Sequence, residues 1–85
     1  MARKLSVKAA AVTSAMIWGG GVLAVAVINT IQPDYGKEFL RWTSSIYPGY
    51  KARPTLAQAA VAGGYATVDG AICGALFALV YNALA

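Results

Sequence analysis

One stretch of this chain, from Leu56 to Leu84, passes twenty-nine residues with a single charged side chain among them, Asp69. As a helix it would be roughly 43 Å long at ~1.5 Å per residue. A bilayer hydrocarbon core of about 30 Å needs only about 20 apolar residues to cross. A second uncharged run lies between Lys8 and Asp34. The chain is 59% hydrophobic and only 12% charged. An 85-residue soluble domain cannot hide two such runs, because a small fold leaves much of its surface wet. The sequence predicts an all-α membrane protein: one domain, an antiparallel two-helix transmembrane hairpin with a short amphipathic interfacial helix in the connection. The expected spans are 7–31 and 55–84, with the interfacial helix over 34–46.

The basic balance, a net charge of +4, would suit nucleic acid if the cations formed one patch. They do not. Arg3, Lys4 and Lys8 flank the first run, and Lys37, Arg41, Lys51 and Arg53 lie between the runs. Those are juxtamembrane positions, where basic side chains meet anionic headgroups. Membrane lipids are therefore the expected partner, and nucleic acid is not. Arg3-Lys4 ahead of an apolar run also resembles the start of a signal peptide, with an A-x-A site at Ala24-Val25-Ala26, but the run exceeds a usual signal core of ~7–15 residues. The positive-inside count is three against four, too nearly balanced to set the orientation; cytoplasmic termini are the expectation.

Small residues are ordered within the runs. Ala11, Ala15 and Gly19 stand four apart, and Gly19-Gly20-Gly21 follows. The second run carries Ala62, Ala66, Gly70, Gly74 and Ala78, again four apart, with Gly70 and Gly74 forming a GxxxG. In lipid, such strips let helix backbones approach closely. They are the expected packing faces, either between copies or against another protein. The glycine triple could also kink or unwind the first helix, which Pro33 should close.

In the connection Tyr35, Phe39, Trp42 and Ile46 fall on one helical face. Lys37, Glu38, Arg41 and Ser45 take the other, and Asp34 is placed to cap the start. Tyr35, Phe39, Trp42, Tyr47 and Tyr50 are the expected interfacial aromatics; packing of this helix on a partner is the alternative. Tyr47-Pro48-Gly49-Tyr50 spells a type II turn. Thr55 and Gln58 match a capping box that opens the second span.

Asp69 is then the unusual residue, since an intramembrane acid should face protein or water. Tyr65, Asp69, Cys73 and Phe77 form the row beside the small-residue strip. Matching depths in an antiparallel hairpin puts Asp69 level with Trp18 and the glycines. The expectation is that Asp69 accepts from the Trp18 indole N–H or approaches the backbone of the first helix. Asp69, Trp18 and Tyr65 are the candidate intramembrane polar site. Its roles stay open at this point: neutral structural glue, the lining of an ion or proton path, or a contact for another subunit. No nucleophile–base pair, metal-ligand spacing or phosphate loop is visible, so no enzyme, cofactor or metal is expected. Cys73, alone inside a span, reads as a packing residue.

Ile17-Trp18-Gly19, Tyr47-Pro48-Gly49-Tyr50, Asp69-Gly70 and Tyr81-Asn82, in this order and at these separations, resemble a family of small bacterial two-helix membrane proteins whose members commonly carry the label bacteriophage holin. The resemblance implies a bacterial inner-membrane protein with a two-helix hairpin, and its label a holin-like pore. The two small-residue strips and Asp69 point to self-association into a homo-oligomer, which such a pore would be. The alternative is an accessory subunit packed against a larger membrane complex.

Overall fold

The computed structural model describes residues 4–85; Arg3 of the basic lead lies outside them. Three helices follow in order, α1 (Val7–Ile31), α2 (Lys37–Ile46) and α3 (Leu56–Leu84). The described residues contain no strand. Ser6 starts α1 by accepting from the Ala9 N–H at 3.1 Å, and Thr55 starts α3 by accepting from the Gln58 N–H at 3.2 Å. Each cap satisfies one of the amide donors that a helix start leaves free. The reciprocal half of the capping box is absent. The Gln58 side chain accepts from the Lys51 N–H at 2.8 Å instead, tying the connection to α3.

α1 and α3 pair antiparallel. Gly63 meets Leu23, Gly19 meets Thr67, Gly70 meets Ser14 and Ala15, and Gly74 meets Ala10 and Ser14. At the end of the hairpin, the Asn82 side chain donates to the Leu5 carbonyl at 2.9 Å and accepts from the Leu5 N–H at 2.7 Å. The α3 small-residue strip is this interface: Ala62, Ala66, Gly70, Gly74 and Ala78 are all buried. A Cβ on Gly70 would stand 2.6 Å from the Ser14 carbonyl oxygen, so only glycine permits the approach. α1 continues as one helix through the glycine triple. Gly19 faces α3, whereas Gly20 and Gly21 look into open space. The outer sides stay apolar and uncovered, with Met16, Ile17, Val68, Leu76 and Phe77 all more than half exposed. A water-soluble monomer does not present a surface of that kind. Length, composition and outward apolar faces make this a small multi-pass membrane protein with two transmembrane helices.

The connection departs from its expected form. α2 begins at Lys37, not Asp34, because residues 33–36 form a turn whose last residue, Gly36, has φ 64°. A side chain there would be strained and would also strike Val25, 2.6 Å away. Asp34 therefore caps nothing and pairs with Lys37 at 3.4 Å. Asn29, buried near the end of α1, donates to the Pro33 and Tyr35 carbonyls, each at 2.9 Å, and fixes the turn. From Gly36 the chain folds back over the hairpin rather than lying clear of it. Leu40, Tyr47 and Tyr50 join Val22, Ala26, Ala59, Ala62 and Ala66 in the core cluster.

The buried face of α2 is correspondingly rotated by about one residue from the expected one. Leu40 and Thr43 are buried and Phe39 half-buried, while Tyr35, Trp42 and Ile46 point outward. Periodicity identified an aromatic face, but α2 has two apolar sides, one for the hairpin and one for its surroundings.

Candidate functional site

The fold-back delivers Tyr47 to the middle of the hairpin. The Trp18 indole N–H donates to the Tyr47 hydroxyl at 2.8 Å, and that hydroxyl donates to Asp69 Oδ2, also at 2.8 Å. Indole nitrogen only donates, so toward a carboxylate at Asp69 the Tyr47 hydroxyl spends its one proton. The expected direct Trp18–Asp69 bond is thus replaced by one through a tyrosine that sequence reading had placed at the interface. About 20 Å of α3 precedes Asp69 and about 22 Å follows it, so the triad lies beside the middle of α3.

Two members are held from a second side. Phe39 of α2 packs edge-on against Trp18, with ring centroids 6.2 Å apart. Tyr65 stacks on Tyr47 at 5.3 Å with the rings nearly parallel, and its hydroxyl donates to the Pro48 carbonyl. Gly49 completes the turn at φ 91°, and a Cβ there would come 3.0 Å from the Tyr65 hydroxyl. The Tyr47-Pro48-Gly49-Tyr50 turn is therefore clamped onto α3 through both of its faces. Burial pushes the Tyr47 hydroxyl above its ordinary pKa of 10.0; the Trp18 bond works against this and the Asp69 carboxylate adds to it. Tyr47 consequently stays protonated and remains a donor at neutral pH. Tyr50 is pushed up by burial alone.

Asp69 is satisfied on one oxygen only. Oδ2 has Tyr47, while Oδ1 has the Cys73 thiol at 3.5 Å, a weak donor at long range. The residue is half-buried, and its row neighbours Tyr65, Cys73 and Phe77 are exposed. The site therefore has an inner side closed by the connection and an outer side facing away from the hairpin.

The remaining sequence candidates fall into two groups. Gly19 and all five members of the α3 strip are buried at the α1/α3 contact, and Ala11 and Ala15 are half-buried. Gly20 and Gly21 lie outside it, as does Gly64, which has nothing near it either. Of the aromatics, Tyr35 and Trp42 face outward, Phe39 is half-buried, and Tyr47 and Tyr50 are turned onto the hairpin and are not free at a headgroup level. Sequence reading missed Tyr47 as the bridge and Asn29 as the anchor of the turn. Asn29, a polar residue near the end of an apolar run and four before Pro33, was a signal that could have found the second.

No family model, no curated protein and no solved structure matches this chain.

Proposed function

We propose that this protein is a non-enzymatic accessory subunit of a larger membrane assembly, in which a preformed hairpin presents the Asp69 flank to a neighbouring transmembrane helix. The observation that carries this reading is Asp69 Oδ1, near the middle of α3 and half-exposed with only a thiol beside it. In lipid a carboxyl group so placed favours a further donor. On a second copy the donors grouped around Asp69 are already spent, which leaves the Thr13 and Ser14 hydroxyls of α1 near that level. Its Trp18 N–H is spent on Tyr47, its Tyr47 proton on Asp69, its Tyr65 proton on Pro48 and its Thr67 hydroxyl on Gly63. A partner with a free N–H or O–H at this depth fits better. The setting we assign is a bacterial inner membrane with the termini on the cytoplasmic side, and Tyr35 and Trp42 at the opposite interface.

Self-association into a holin-like pore is the second reading. The small-residue strips that suggested it close the hairpin itself, so copies would have to meet elsewhere. What favours it is that Gly20, Gly21 and Gly64 are open to close approach on the outside.

Extraction in a mild detergent, followed by native mass measurement of wild type and Asp69→Asn, separates the two. Stoichiometric larger chains, released or weakened in Asp69→Asn, are the result expected. A ring of this chain alone that survives Asp69→Asn would overturn the subunit reading in favour of self-association, and ion flux across vesicles would then test for a pore.

A further inference from the structure

The side chains placed on Asp69 are donors. Tyr47 supplies Oδ2 at 2.8 Å and is itself fed by the Trp18 indole N–H, also at 2.8 Å. The Cys73 thiol supplies Oδ1 at 3.5 Å. Hydrogen bonds in series polarise one another, and those that end on an ionised acceptor are the stronger kind. A protonated Asp69 would have to turn its proton on a hydroxyl already taking one from Trp18, or on a thiol, which is a poor acceptor. The arrangement suits a carboxylate.

This chain has no cation to set against that charge. From Leu56 onward Asp69 is the only charged side chain. Arg53, the last basic residue, stands ahead of the whole first half of α3. α1 contains one basic residue, Lys8, and it is exposed. α1 passes the level of Asp69 near Ser14 and Ala15, which lie against Gly70. Lys8 is about 10 Å from there along the axis, at ~1.5 Å per residue. A second copy lying alongside in the same orientation repeats these levels. It brings hydroxyls and another Asp69 to the site, and no cation.

The same flank offers room for a helix. Past Asp69 its face of α3 continues with Ile72, Cys73, Leu76 and Val80, spaced as one side of a helix and all exposed. A helix lying along these residues passes Asp69 Oδ1 near the middle of α3. Charged side chains within transmembrane segments pair with one another, and the sign missing on this flank is positive. Resting on the subunit reading above, we propose that the neighbouring helix carries a lysine or arginine level with Asp69, and that the two side chains form an ion pair. A neutral N–H or O–H donor would satisfy the subunit reading and not this one.

The full chain in vesicles of phosphatidylcholine, whose headgroups carry no net charge, tests this with three added transmembrane helices. These are leucine–alanine peptides, identical except for lysine, glutamine or leucine at the centre. Energy transfer from the chain's tryptophans to a dansyl group on the peptide reads binding. Wild type should bind the lysine peptide at least about tenfold more tightly than either of the others, the scale on which close charge pairs couple across interfaces. Asp69→Asn should bring the lysine and glutamine peptides to parity, and Asp69→Glu should keep the preference. A lysine preference that survives Asp69→Asn would overturn the pairing. Equal binding of lysine and glutamine peptides by wild type, both above leucine, would overturn the cation and leave the subunit reading standing. Equal binding of all three sinks the pairing as well, and release of larger chains by Asp69→Asn then judges the subunit reading by itself. If circular dichroism shows that Asp69→Asn does not fold, the three peptides on wild type decide alone.

Discussion

Tyr47 is the residue on which the middle of the molecule depends. Its hydroxyl is acceptor for one helix and donor for the other, so Tyr47→Phe leaves the Trp18 N–H and Asp69 Oδ2 without partners in one step. An unsatisfied buried polar group costs about 1–3 kcal/mol. We expect Tyr47→Phe to lower stability by about 2 kcal/mol in mixed-micelle unfolding, while Tyr35→Phe, at an exposed position, leaves it within ~0.5 kcal/mol. An unchanged midpoint for Tyr47→Phe would mean that the triad contributes nothing to stability. The same tyrosine sets a pH response. Its folded pKa lies above 10.0, so the stability it contributes is complete below that value and is lost as pH rises through the folded one. In alkaline titration followed by tyrosinate absorbance, Tyr47 and Tyr50 should ionise above 10.0, and Tyr47→Phe should remove one late-titrating group.

At the scale of elements, glycines of similar sequence context have opposite consequences. Gly70 and Gly74 lie on the backbone of α1, whereas Gly20, Gly21 and Gly64 have open space. Gly70→Leu should destabilise by at least ~1–3 kcal/mol through overpacking, and Gly64→Leu should be near neutral in the same unfolding assay. Equal effects would contradict the register of the hairpin. How much of this was legible follows from the residues. Two uncharged runs gave the spans because charge and length alone decide them, and the four-residue spacing of Ala62, Ala66, Gly70, Gly74 and Ala78 gave the face of α3. What meets that face is α1 of the same chain, and spacing cannot distinguish an internal partner from an external one. Trp18 and Asp69 were matched in depth, and both belong to one site. Tyr47 was misplaced because its position depends on Gly36 and Asn29 turning the connection back, a long-range outcome that local periodicity does not contain. The two-sidedness of α2 was hidden for the same reason. Leu40 and Thr43 form a buried face only once the hairpin is there to cover them.

At the scale of the whole molecule, the connection divides the surface into unlike halves. On one half, α2 covers the hairpin and turns Lys37, Glu38 and Arg41 outward with Trp42 beside them; on the other, apolar side chains are bare. With Trp18→Phe, Trp42 is the one remaining tryptophan of the two. Lipids brominated near the headgroup should then quench its emission more strongly than lipids brominated near the chain ends. The reverse order would place α2 deep in the hydrocarbon.

The Leu5–Asn82 pairing also has a consequence in time. Its partners are separated by 77 positions, which a ribosome working at ~5–20 residues per second covers in about 4–15 s. For the later part of it, the 53 residues from Ile31 to Leu84 or about 3–11 s, α1 is complete and α3 is not. The ridge around Gly19 that α3 will cover is then available to any neighbouring helix. The order of synthesis thus sets a brief competition between the chain's own second span and whatever the insertion machinery brings alongside. A mutation that slows the arrival of α3 would alter partner choice without changing a single contact in the finished hairpin.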